Sequence, residues 1–278
     1  MLKLVAAIFA LVATAMSGPA LAQETSSTTS SSSATAGDDG QSSVADVLSH
    51  MPKEIIACQP HDNAQEAADT ALAEKAWASV TKKDVPALAK MLPDLEAAAA
   101  RSPDKPSLPE RCGDKLTIYS ADMMEFLIVS GTVMADKTSQ IKSVVQHAPL
   151  PYARLNFIVG WVYYEQDQLE KAVPFYARGL LDDPRDTYLA SEYANVLSET
   201  GHADQALTFV DRFLADNKNL SDRLQALMLR RRGYALGELG RHQDAITAYR
   251  ESQKYDSKNT VAANEIQWNT EQLSAEKR

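Results

Sequence analysis

Cys58 and His61 in the stretch "CQPH", with Cys112 further along the chain, are the residues whose types most resemble a reactive or metal-binding set. Two thiols and an imidazole suit zinc, but a closed structural site takes four donors, and no fourth stands at a recognisable spacing. In an oxidising compartment the economical reading of the chain's two cysteines is a disulfide, Cys58 to Cys112. Closing a loop of that length restricts the unfolded chain and stabilises the fold by roughly 4 kcal/mol. The remaining chemical inventory is thin. The sequence holds no G-x-S-x-G elbow, no H-E-x-x-H pair, no phosphate-cradling glycine loop and no dinucleotide fingerprint. Carboxylates are plentiful, yet no pair is singled out. No catalytic residue, no metal and no cofactor is assigned, and the sequence is read as that of a non-enzyme.

The first 22 residues explain where such a disulfide would form. Lys3, an apolar run from Leu4 to Met16, and "SGPALA" with Ala20 and Ala22 make a secretory signal peptide, cut between Ala22 and Gln23. The run is shorter than the roughly 20 residues a membrane-spanning helix needs, and no second run follows, so the mature chain is expected without a transmembrane segment, in the periplasm or secreted. No cysteine follows the cut, which argues against a bacterial lipid anchor. Residues 23–43 are dominated by Ser, Thr and Gly, cannot bury enough apolar surface to offset their ordering, and read as a disordered linker. The whole chain carries a net charge of −9, and loss of Lys3 with the leader makes it one unit more negative. An acidic surface repels phosphate backbones, which excludes nucleic acid as the expected partner.

The most informative pattern is a line written three times: "EKAVPFYARGLLDDP", "DQALTFVDRFLADNK" and "QDAITAYRESQKYDS". Ala172, Ala206 and Ala245 hold the same place in each, 34 and then 39 residues apart. Five residues before each stand Asp167, Gly201 and Gly240, types that tolerate the left-handed backbone of a tight turn. Twelve residues before each stand Gly160, Ala194 and Gly233, all small, in stretches of helical periodicity. Each copy is therefore a helix, a short turn and a second helix, with small residues where two helices meet closely.

With Gly160, Tyr163, Ala172, Tyr176 and Pro184 in the first copy and Gly233, Ala245 and Tyr249 in the third, this unit resembles the tetratricopeptide repeat family. The family's early Trp is replaced by Asn156, Ala190 and Leu229, and its closing Pro survives only as Pro184. The resemblance implies an all-α fold: a right-handed superhelical stack of helix-turn-helix hairpins over residues 149–258, closed by a polar-faced helix at 259–278 that Asn259 begins and Trp268 packs inward. It also implies a concave side lined by the first helix of each unit. The stripe expected there is Arg154, Phe157, Trp161 and Tyr164, then Tyr188, Ser191, Asn195 and Ser198, then Leu227, Arg230, Tyr234 and Gly237. Each set steps by 3, 4 and 3 residues, which keeps it on one helical face. Aromatic and Arg residues dominate protein interfaces, and Asn offers a peptide backbone both a donor and an acceptor. Arg154 and Arg230 are placed to clamp carboxylates. Packing of Phe157, Trp161 and Tyr234 against the preceding helices is the competing reading. Glu165, Glu199 and Glu238 also recur at one place and are assigned to solvent.

Residues 44–148 are expected to form an N-terminal helical region, disulfide-linked and holding a degenerate repeat around "ADTALAEKAWASVTKKDVPALAKMLPDLEAAAARSPDKP", with Trp77 as a core residue. Ser120 is placed to cap an apolar, Met-rich helix, and "TSQIKSVVQHA" to form a further short one stopped by Pro149 and Pro151. The function expected is a non-catalytic scaffold of the cell envelope that binds a protein or peptide segment in the concave groove. A structural spacer and a carbohydrate-processing enzyme remain open beside it.

Overall fold

The computed structural model describes residues 54–104, 108–136 and 138–276. The signal peptide and linker assigned to residues 1–43 lie outside them. Ten helices and four strands are present among the described residues.

The first hairpin is α1 (Asn63–Thr81) and α2 (Val85–Ala99). Both start on an aspartate that satisfies an orphan backbone N–H: Asp62 accepts from Gln65 N, and Asp84 from Ala87 N. The later hairpins pair α4 (Tyr152–Glu165) with α5 (Leu169–Asp182), α6 (Thr187–Glu199) with α7 (Ala203–Asp216), and α8 (Asp222–Glu238) with α9 (His242–Tyr255). Helix α10 (Thr260–Glu276) closes the stack; Asn259 caps it by accepting from Ala262 N at 3.1 Å.

The four turns share one backbone solution. Lys83, Asp167, Gly201 and Gly240 all adopt positive φ, at 55°, 60°, 81° and 71°. The lysine at the first of these explains why that hairpin is hard to match to the others by turn residue alone, since a long side chain in this conformation carries a strain that glycine avoids. Within the hairpins, Ala172, Ala206 and Ala245 are fully buried. A Cβ on Gly160 would stand 2.7 Å from the ring of Tyr176, and one on Gly233 would stand 2.9 Å from that of Tyr249. The tyrosine of the second helix thus lies flat across the glycine of the first. One core cluster runs through the first two hairpins, with Leu88, Leu95, Leu155, Trp161, Tyr176 and Leu189 buried in it.

Between the first and second hairpins the chain makes a separate excursion, whose strands pair with a short one from before the first hairpin. Strands β1 (Ile56–Ala57), β2 (Glu110–Cys112), β3 (Lys115–Tyr119) and β4 (Ser143–His147) form one sheet in that order. The β1/β2 and β3/β4 pairs are parallel and β2/β3 is antiparallel. Helix α3 (Met123–Ala135) is the crossover from β3 to β4 and covers Leu116, Ile118 and Ile141 with Val129. The predominantly helical architecture therefore carries a small sheet that periodicity did not reveal. The short helix expected in "TSQIKSVVQHA" is strand β4, whose residues alternate between half-buried and exposed along a sheet edge. Asp122, rather than Ser120, caps α3, accepting from Met124 N at 2.8 Å, while Ser120 hydrogen-bonds Glu125 at 2.6 Å.

The Cys58–Cys112 disulfide joins β1 to β2, with the two Cα atoms 4.6 Å apart. The excursion is fastened to the repeats by Arg185, whose Nη2 lies 2.7 Å from Glu125 Oε1. Trp268 does not pack inward as expected: it is 44% exposed, its ring edge against His242, and the adjacent Asn269 is the buried residue, bonded to His242 Nδ1 at 2.9 Å. Among the described residues, no helix is long and apolar enough to cross a membrane.

Candidate interaction surface

Helices α4, α6 and α8 are the first helices of three successive hairpins; of the expected groove residues they leave Arg154, Tyr164, Tyr188, Arg230 and Tyr234 partly or fully accessible, whereas Ser191, Asn195, Ser198 and Leu227 are buried, at 1%, 3%, 2% and 5% exposure. The centre of their shared face is a polar network. Asn195 Nδ2 donates to Glu199 Oε1 at 2.8 Å and to the Tyr164 hydroxyl at 3.3 Å, and that hydroxyl in turn donates to Glu199 Oε1 at 2.9 Å. These bonds tie α4 to α6. Burial and the Glu199 charge push the Tyr164 hydroxyl far above its ordinary range, so it stays a neutral donor.

Arginine 231, which the expected stripe passes over, joins α8 to the same network. Its Nε donates to Ser191 Oγ at 2.8 Å, its Nη1 to Asn195 Oδ1 at 2.6 Å and its Nη2 to Glu192 Oε1 at 3.2 Å. Glu192 is 7% exposed, and burial pushes its carboxyl up while Arg231 pulls it back. The neighbouring Arg230 is turned about 100° away on the helix. It pairs with Asp256 at 3.2 Å and is therefore already engaged. Three arginines in sequence, 230 to 232, gave no local sign of which one points to α6; helical phase relative to Ser191 and Asn195 decides it.

The other expected residues divide. Tyr234 and Tyr188 are half-buried on the face, Tyr188 beneath the Arg223 guanidinium at 5.8 Å. Arg154 is exposed and stands over the Trp77 ring at 5.7 Å. Phe157 and Trp161 are a correction: they are 5% and 1% exposed, and they belong to the core rather than to an open groove. The reason is the first hairpin, which covers that side of α4; Phe157 packs between Trp77 at 5.8 Å and Tyr176 at 6.1 Å. Aromatic side chains on a helix with neighbours on two sides have no open face to line.

A second polar cluster sits beside the disulfide. His61 Nδ1 lies 2.7 Å from Glu66 Oε1, and Nε2 lies 2.7 Å from Glu110 Oε2. Carboxylates only accept, so both ring nitrogens donate and the ring is an imidazolium. Burial alone would lower its pKa, but the hydrogen bonds to Glu110 and Glu66 outweigh it and the net shift is upward. Tyr119 Oη adds a bond to Glu110 at 3.2 Å. The sulfurs of Cys58 and Cys112 and a Glu110 oxygen all lie within 4.8 Å of one another, a grouping with metal-ligand character. With the sulfurs bonded to each other, neither is a thiolate, and the cluster serves as a clasp of β1, α1 and β2.

Comparison with known proteins follows this geometry. Residues 231–259, from α8 through α9, match the tetratricopeptide repeat family model. No curated protein matches the sequence. Among solved structures, the first TPR domain of the human RPAP3 protein is 21% identical, with a TM-score of 0.40, over 45% of this chain and 94% of that one. The first TPR of Spaghetti (RPAP3), bound to the HSP90 peptide SRMEEVD, is 21% identical with a TM-score of 0.39 over 44% of this chain and 93% of that one. The Arabidopsis OM64 TPR domain is 20% identical with a TM-score of 0.37 over 42% and 93%. Hairpins in one register, each with its small residues at the crossing and its positive-φ turn, are thus similar to the tetratricopeptide repeat, whose family model matches the last of them over residues 231–259.

Proposed function

We propose that the protein is an exported, non-catalytic scaffold that takes an extended segment of a protein partner along the face formed by α4, α6 and α8. The observation that carries this reading is the cross-helix network of Tyr164, Asn195, Glu199 and Arg231. It fixes a polar, tyrosine-bearing surface before any partner arrives, so that little side-chain ordering remains to oppose binding. Half-buried Tyr234 and Tyr188 supply large rigid contact area of the kind that dominates interface energetics. The leader read in residues 1–22 and the Cys58–Cys112 disulfide support a cell-envelope setting. The test is affinity capture from the native envelope extract with the full chain beside its Tyr234→Ala variant. A partner retained by the first, depleted at least tenfold by the second and protecting α6 and α8 amides from exchange is the expected result. Equal capture by both would move the binding surface elsewhere.

A further inference from the structure

The sequence ends each of the three groove helices on a glutamate: Glu165 on α4, Glu199 on α6 and Glu238 on α8. This is the end of a helix where a negative side chain is disfavoured, because the unpaired carbonyls already concentrate negative charge there. Three repeats make the same unfavourable choice. Nor does the fold neutralise it. Glu199 is held by the neutral donors Tyr164 and Asn195, and among the described residues neither Glu165 nor Glu238 forms an ion pair. The arginines nearby are committed elsewhere: Arg231 to Glu192, Arg230 to Asp256 and Arg232 to Asp211 at 2.7 Å.

The carboxylates stand at one place on successive first helices and bear on one another electrostatically. Burial and the Glu199 charge raise the Glu238 carboxyl; burial and then Glu238 act the same way on Glu265 of α10, though Tyr249 opposes it. Glu165 and Glu199 both bear on Glu192 between them. Near them lies a buried polar group without a partner. The Tyr176 hydroxyl is fully buried, has no hydrogen-bond partner, and feels the charges of Glu192 and Glu165 together with the Tyr164 hydroxyl and the opposing Arg231. Its counterpart in the last hairpin, Tyr249, reaches Glu265 Oε2 at 3.5 Å. A buried polar group without a partner is costly, and any donor or acceptor brought within its reach would relieve it.

We infer that the groove selects a positively charged segment, with lysine or arginine side chains three residues apart, one for each of Glu165, Glu199 and Glu238. The spacing follows from geometry. Packed helices lie about 8–10 Å apart, and a segment in the polyproline II conformation advances about 3.1 Å per residue with three residues per turn, so every third side chain returns to the same face and meets successive glutamates. Each ammonium would gain both a carboxylate and the negative end of a helix. This inference rests on the groove being the docking surface.

The test uses the full chain and fluorescein-labelled decapeptides followed by anisotropy at two salt concentrations. One peptide carries lysines at every third position, a second carries the same lysines consecutively, and a third replaces them with glutamate. The expected order is tightest for the first, several-fold weaker for the second and at least tenfold weaker for the third. Glu199→Gln with Glu238→Gln should weaken the first peptide about tenfold, whereas Glu170→Gln on the exposed outer helix α5 should not; thermal melts of each variant verify folding. Equal binding of lysine and glutamate peptides, or equal loss from Glu170→Gln, overturns the inference. Hydrogen exchange separates the two readings. Protection of α4, α6 and α8 without charge preference leaves the groove as a docking surface and removes its selectivity; protection elsewhere only, or none, removes both.

Discussion

Arg231 Nη1 donates to Asn195 Oδ1 at 2.6 Å while its Nη2 holds Glu192, so one side chain of α8 sets the position of two side chains on α6. Glu192 is 7% exposed, and a buried carboxylate stripped of its cation is far more costly than the pair is beneficial. Arg231→Met should lower unfolding free energy by about 3 kcal/mol. Adding Glu192→Gln should recover part of that loss. Urea denaturation of the single and double variants measures both; an Arg231→Met protein as stable as the wild type would mean that Glu192 is hydrated in solution.

Two glycines should respond in opposite directions to the same change. At Gly160 a Cβ meets the Tyr176 ring at 2.7 Å, so Gly160→Ala forces the repeat crossing apart and should cost about 1–3 kcal/mol. At Gly131, inside α3, nothing lies within 4 Å of an added Cβ. Gly131→Ala should therefore stabilise by about 0.5–1 kcal/mol through helix propensity. Thermal unfolding of the two variants gives the signs directly.

The His61 clasp makes stability depend on pH. Its folded pKa is raised above the unfolded value of 6.5, so the contribution is fully present below that value and is lost as pH rises through the folded pKa. The groups facing the ring are Glu66 on α1, Glu110 on β2 and Tyr119 on β3. Relative to His61→Gln, the wild-type protein should gain most stability in mildly acidic buffer and least in alkaline buffer. Chemical denaturation across that range tests the slope; a gap independent of pH would mean that the ring is neutral.

Replacing both Cys58 and Cys112 by Ser frees a loop with a sequence separation of 54. The chain-entropy relation puts the loss at about 4 kcal/mol. Because β1 has only two residues and hangs on that bond, amides of residues 54–62 should lose exchange protection first, before those of α4 to α9. Simultaneous loss everywhere would show that the sheet and the repeats unfold as one unit.

The repeats were legible because their constraints are local. Ala172, Ala206 and Ala245 with Asp167, Gly201 and Gly240 fix a crossing and a turn within a dozen residues. The sheet was not, since β1 and β2 are two and three residues long and pair across the chain, leaving no periodicity to read. The helix face of the expected stripe was legible, but its burial was not. Spacing put Tyr164, Asn195 and Tyr234 on one helix face, but Asn195 is buried with its amide engaged by Glu199 and Arg231, and Phe157 and Trp161 are buried because the first hairpin lies over them. Arg231 and the engagement of Arg230 by Asp256 depend on contacts between elements, which no single helix encodes.

The excursion between α2 and α4 separates in sequence two helices that touch in space. An ordinary hairpin link is about four residues; stretching it to roughly fifty adds about 2 kcal/mol of closure entropy. Pairing of β3 with β4 gathers part of that slack, while the Cys58–Cys112 bond spans the first hairpin and ties its approach to the start of the link. During synthesis the apolar side of α2, with Leu88 and Leu95, has no mate until Leu155 and Ile158 have been added far downstream. At roughly 5–20 residues per second the wait is several seconds, so the length of the excursion sets how long a half-made core stays open to other chains.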